Sequence, residues 1–236
     1  MKLTRKNNLI IIISILSVVI LAISAFVLTS SNHKFLDRLS KKEISALREQ
    51  YPIYIYQVPD SVSYNPKTFE DIIAYMAEED YGDFIHGKVI GDVKYYTQKI
   101  STGDEALDKK MESNGISNDY KFYKFTVEII NSSNNKFQKG DHIVIWDSLY
   151  LKDSHPTVYD GLEIVLPVFE DRQDETVTEF SYTHSAMYYI TKDGYAISAF
   201  DENTSSKHRL SGVKADVLMD ELDSLMAKAK KETAIK

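Results

Sequence analysis

Residues Leu9 to Leu28 form a run of twenty without one charged side chain. As a helix rising about 1.5 Å per residue, this run spans about 30 Å, the thickness of a bilayer's hydrocarbon core. Helices buried in soluble folds usually keep a polar face, and this one has none. Ser14, Ser17 and Ser24 interrupt it, but hydroxyls can return hydrogen bonds to the preceding helical turn. Lys2, Arg5 and Lys6 precede the run, and the first thirty residues hold no acid. The positive-inside rule therefore puts Met1 in the cytoplasm and the C-terminus outside. The expected organisation is a cytoplasmic tail (1–8), a transmembrane signal-anchor (9–28), a juxtamembrane helix or stalk (29–52) and an extracellular domain (53–236). The localisation this implies is the cell membrane, single-pass. The alternative is a cleaved signal peptide, whose apolar region is typically about 7 to 15 residues. Its sites would be Ala22 to Ser24 or Ile23 to Ala25, inside the run, or Leu28 to Ser31 at its end.

Charge divides the chain the same way. The whole carries −7, from 28 Lys and Arg against 35 Asp and Glu. Removing the three N-terminal cations leaves 25 against 35, or −10, on the rest. An acidic body argues against nucleic acid and anionic headgroups, which need Lys/Arg surfaces. There is no cysteine. That excludes disulfides, Cys-ligated metal, a thiol nucleophile and a lipidated cysteine after the leader. A cysteine-free exported domain fits a bacterial surface.

Beyond the anchor, Asn32 to Gln50 reads as a helix, either a stalk or a helix packing on the barrel, with capping-box spacing from Ser40 to Glu43 and a stripe of Leu36, Leu39, Ile44 and Leu47. Ile53 to Val58 alternates as a strand. A helix should start near Pro66, with Phe69, Ile72, Ile73, Met76 and Ala77 on one side. Strands follow at Phe84 to Tyr96, Tyr120 to Ile130, His142 to Trp146, Leu162 to Phe169, Phe180 to Thr191 and Tyr195 to Phe200. The last two flank a hairpin at Lys192 to Gly194. Ser101 to Asn118 reads as a loop. Pro167 marks its strand as an edge, or ends it. A final helix is expected from Ser211 to Lys230, buried through Val213, Val217, Leu218, Leu222, Leu225 and Met226.

Five or six short strands between two helices predict an α+β ectodomain, mainly antiparallel, built on a small closed or partly closed barrel. Four segments carry a resemblance: Asp83 to Val93, Tyr123 to Ile129, Lys139 to Ile145 and Gly161 to Leu166. In these, over about 83–200, the chain resembles exported bacterial membrane-anchored domains with an OB-like β-barrel, distantly similar to netrin-like or TIMP-like modules. It departs from that pattern at Leu162 and at Val165, where an aromatic is common, and it lacks the cysteines of the animal modules. The resemblance implies flanking helices around the barrel and no catalytic residues.

No motif specifies a reaction. His86, His142, His155 and His184 fall on or near different strands, with His33 and His208 apart, and no two have HxH or HxxxH spacing. Strands could still gather them with Asp83, Asp141 or Asp147 into a metal site; ordinary surface or half-buried histidines are the simpler reading. Thr183, His184 and Ser185 put a base beside a nucleophile, but strand neighbours point to opposite faces. The acid runs Glu78, Glu79, Asp80 and Asp83, and Glu170, Asp171, Asp174 and Glu175, lack EF-hand spacing and suit solvated faces. Tyr54, Tyr56, Tyr95, Tyr96, Tyr120, Tyr123, Tyr182, Tyr188 and Tyr189 lie on expected strands. They either fill the core or form an exposed aromatic face for a glycan or peptide.

The sequence therefore assigns no catalytic residue, cofactor or metal ligand. It favours a non-enzymatic binding module at the cell surface, with a protein or cell-wall ligand. The alternatives are a surface hydrolase or metal-dependent enzyme assembled from separate strands, and a subunit of an envelope complex.

Overall fold

A computed structural model describes residues 37–53, 68–79, 82–115, 117, 119–134, 136–148, 156–171, 179–182 and 186–233. The expected anchor, 9–28, and most of the expected strand from Ile53 to Val58 lie outside these residues. Among the described residues no helix is long and apolar enough to cross a membrane.

The compact unit from Leu39 onward is α+β with a mostly antiparallel seven-stranded sheet. In order come α1 (Lys41–Leu47), α2 (Phe69–Glu79), β1 (Gly82–Lys99), α3 (Glu105–Ser113), β2 (Asp119–Ser132), β3 (His142–Ser148), β4 (Glu163–Asp171), β5 (Glu179–Tyr182), β6 (Tyr188–Ile190), β7 (Ala196–Ser198), α4 (Glu202–Ser205) and α5 (Ala215–Thr233). The sheet order is β1-β2-β3-β5-β4-β6-β7, and β1 also pairs with β4. The pairings of β1, β2, β3, β5 and β4 therefore return on themselves. All are antiparallel except β3 with β5.

Strand alternation sorts the apolar residues into two cores. Ile85, Val89, Tyr123, Phe125, Val127, Ile129, Ile143, Ile145, Ile164, Leu166 and Tyr189 form one cluster. Their strand neighbours Phe84, Val165, Tyr188 and Ile190 point the other way, under α2 and α5. There they meet Phe69, Ile72 and Met76 of α2, and Leu218, Leu222 and Met226 of α5. Burying each such side chain contributes roughly 1.5–3 kcal/mol. Gly87 lets β1 approach β2 closely: a Cβ there would stand 2.3 Å from Val127 Cγ1 and 2.9 Å from the Glu128 carbonyl oxygen.

Several elements correct the sequence reading. The segment read as a loop, 101–118, contains α3. Asp104 caps it by accepting hydrogen bonds from the N–H groups of Ala106 and Leu107. Pro167 neither ends its strand nor lies on an outer one; it is buried within β4 and paired with Phe84. Val89 N–H donates to the Leu162 carbonyl at 2.8 Å. Antiparallel alternation then makes Phe84 and Pro167 a non-hydrogen-bonded pair, so an N–H at 167 would point away from β1. On that side β6 stops pairing at Val165 and β5 begins at Val168. Among the described residues no strand pairs with Pro167 on that side.

The single strand expected over Phe180 to Thr191 is two strands. From Tyr182 to Tyr188 the chain advances six residues, while their partners on β4 step back only three, from Val168 to Val165. The last helix begins at Ala215 rather than Ser211, because the Gly212 N–H and carbonyl are engaged with Ala196 and Leu39.

The capping box at Ser40 and Glu43 is present, and it starts α1. Leu39, Ile44 and Leu47 pack against the inner cluster, and the Tyr51 ring lies 5.7 Å from Tyr189. Arg48 Nη1 donates to the carbonyls of Ser198 at 2.5 Å and Tyr51 at 3.2 Å. Of the two readings of this helix, a stalk or a helix packing on the domain, residues 39–51 follow the second.

Candidate functional site

The histidines do not converge among the described residues. His86 lies on β1, half-buried, with Nε2 3.4 Å from Glu163 Oε2 on β4. Burial pushes its imidazole below the ordinary value, and Glu163 opposes that shift. His142 is exposed at the start of β3, opposite Glu128. The His208 ring sits 6.2 Å from Phe69. His33, His155 and His184 lie outside the described residues, as do Thr183 and Ser185. No three His, Asp or Glu side chains among the described residues are grouped to hold a metal.

The acids have separate roles. Asp83 is fully buried and accepts from the hydroxyls of Ser132 and Ser133 and from the Asn134 N–H at 3.0 Å. It fixes the turn that follows β2. On α5, Asp223 is raised to about 6, by burial first and then by the carboxylates of Asp220 and Asp83. Asp141 accepts from the Gln138 N–H and closes a turn, while Asp147 is half-buried on β3. Glu170 pairs with Lys136 at 3.6 Å. The side chains of Glu78, Glu79 and Asp171, and all of Asp80, Asp174 and Glu175, lie outside the described residues. A buried carboxylate that the sequence did not single out, Glu202, accepts from Tyr188 Oη at 3.0 Å and from the N–H groups of Leu210 and Ser211 at 2.9 and 3.0 Å.

The tyrosines divide. Tyr123, Tyr188 and Tyr189 are core residues. Tyr95 is 64% exposed. Tyr96 and Tyr120 are half-buried. Tyr54 and Tyr56 lie outside the described residues, as does the Tyr182 side chain.

Tyr96 belongs to a group on the sheet face opposite the inner cluster; Tyr96 and Trp146 are half-buried there and Phe122 is buried. Tyr96 on β1 stacks on Phe122 of β2, with ring centroids 5.4 Å apart. Phe122 meets Trp146 of β3 edge to face at 5.7 Å. Lys124 lies between them on β2, its Nζ 5.4 Å from the Tyr96 ring centre and 3.3 Å from Glu179 Oε1 on β5. These residues alternate with the inward-facing Tyr123, Phe125 and Ile145, so they share the opposite face. The exposed parts of the Tyr96 and Trp146 rings offer apolar surface, and Lys124 and Glu179 stand beside them as a donor and an acceptor. Phe122, Lys124 and Trp146 were not picked out from the sequence. Their signal is the strand alternation itself, which puts each of them out of phase with a core residue.

No family model, curated protein or solved structure matches this chain.

Proposed function

We propose that this chain is a single-pass membrane protein whose domain lies outside the cell and binds a ligand rather than catalysing a reaction. The N-terminal cations and the apolar run of Leu9 to Leu28 support the anchor and its direction. The returning ring of pairings, with β3 and β5 parallel, supports reading the sheet as an OB-like barrel flanked by helices. The observation that carries the binding role is the pair of half-buried rings Tyr96 and Trp146, both packed on the buried Phe122 on the sheet face opposite the inner cluster. Their exposed parts supply the kind of aromatic surface that glycan and peptide ligands use.

Trp146 is the chain's sole tryptophan, so its fluorescence reports on this face alone. Full-length protein in lipid nanodiscs should show a saturable Trp146 spectral change on adding a cell-envelope extract. The Tyr96→Ala variant should need several-fold more extract for the same change. An unresponsive Trp146 in a correctly folded, inserted protein would remove the binding role.

A further inference from the structure

We infer that residues 39–51 form a releasable strap, a docked helix that leaves the domain as one unit while the sheet stays folded. Within the strap only Tyr51 is buried. Leu39, Ile44 and Leu47 are half-buried against the inner cluster, and no side chain of α1 is buried. Among the described residues two hydrogen bonds fasten the strap to the rest. The Leu39 N–H donates to the Gly212 carbonyl at 2.9 Å, and Arg48 Nη1 donates to the Ser198 carbonyl at 2.5 Å. The helix itself has seven residues. A helix that short is marginal in water on its own, so α1 keeps its form only while docked. Release and unwinding are therefore one event.

A buried hydroxyl lies beneath the strap. Tyr189 of β6 is 2% exposed, and its ring is 5.7 Å from that of Tyr51. Its Oη completes no hydrogen bond, and the Thr157 backbone beside it lies outside bonding geometry. Arg48, whose charge acts on that hydroxyl, donates from Nη1 to carbonyls instead. An unpaired hydroxyl in the interior raises the free energy of the closed state, and water satisfies it once the strap lifts. Burial also pushes the Arg48 guanidinium below its ordinary value, with Glu202 opposing, and release lifts that cost too. Few buried contacts hold the strap, and closure carries its own penalty. Elements of this kind open separately from the core they pack on. Release adds up to about 45 Å of extended chain ahead of the domain. It also bares the part of the inner cluster that Leu39, Ile44 and Leu47 cover.

Hydrogen exchange of the full-length protein, resolved to single amides, tests the strap. The Ile44 and Tyr51 amides donate to the Ser40 and Leu47 carbonyls. They should share one opening equilibrium, at least about tenfold more populated than that of the Ile129 amide of β2. Ile72→Val, in the cluster under α2 and α5, weakens the closed and the strap-released forms alike. It should speed Ile129 exchange several-fold and leave the strap amides unchanged. Tyr189→Phe removes the penalty on closure and should slow the strap amides several-fold. Equal acceleration of Ile129 and the strap amides by Ile72→Val overturns the inference, because the strap then opens only with the whole domain. Strap amides that exchange at the unprotected rate overturn it as well, because the strap is then not docked. Strap exchange that is unchanged or faster in Tyr189→Phe overturns the role given to the hydroxyl.

Discussion

His86 on β1 and Glu163 on β4 stand 3.4 Å apart across the pairing that returns the five-strand ring on itself. The burial of His86 outweighs the carboxylate, so its imidazole is lowered from 6.5. A base lowered on folding favours the neutral form. Its contribution is present above the unfolded value and is lost as pH falls through the window below it. His86→Gln should therefore flatten part of the loss of stability between pH 7 and pH 5. Urea midpoints at the two pH values check this. A loss unchanged in the variant would show that His86 does not cause it.

Asp223 pulls the other way. An acid raised from 3.8 to about 6 makes the folded state prefer its protonated form. Stability is lost as pH rises from about 4 to 6, and the penalty persists at pH 7. Asp223→Asn should raise stability at pH 7 by roughly 1 kcal/mol or less, because solvent reaches the group. The gain should vanish near pH 4. Chemical denaturation of the variant at both pH values measures it.

The close approach of β1 and β2 at Gly87 predicts a specific double-mutant result. Gly87→Ala should destabilise by about 1–3 kcal/mol, since the new methyl meets Val127 Cγ1 and the Glu128 carbonyl. Adding Val127→Ala removes one obstacle and leaves the backbone oxygen. The pair should therefore be less destabilised than the sum of the two single changes, a coupling that a denaturation cycle reads directly.

Glu202 closes the segment between β7 and α5. Tyr188→Phe removes one donor to it and should cost about 1 kcal/mol. Glu202→Ala removes the shared acceptor of the Tyr188 hydroxyl and of the Leu210 and Ser211 N–H groups, and should cost about 2–4 kcal/mol. Thermal melts of the two variants would rank them in that order. The reverse ranking would mean that the carboxylate costs more to bury than its hydrogen bonds return.

Much of the fold was legible because it follows from period-two alternation. Phe84 to Tyr96, Tyr120 to Ile130 and His142 to Trp146 alternate strongly, and each falls within a strand. What escaped depended on partners. α3 has too few apolar residues to announce a helix, and its cap, Asp104, works only once the chain has turned. Pro167 breaks a rule stated for single strands, and only the gap between β6 and β5 explains why it is tolerated. The aromatic group around Phe122 was half legible: Tyr96 stood out as a tyrosine on a strand. Which of the tyrosines face outward depends on the register of β1 on β2, including the shift between Ile90 and Lys94 beside Gly91. Local composition does not encode that register.

The proposed placement of the domain, outside a membrane that the N-terminal segment enters, is tested most directly by labelling in living cells. The chain has no cysteine, so an introduced one is labelled without background. Lys109→Cys, on the exposed helix α3, should react with a membrane-impermeant maleimide on intact cells, in protein that fractionates with the membrane. Lys2→Cys should react only after lysis. Labelling of Lys2→Cys on intact cells with Lys109→Cys protected, or a soluble cytoplasmic chain, would contradict the account.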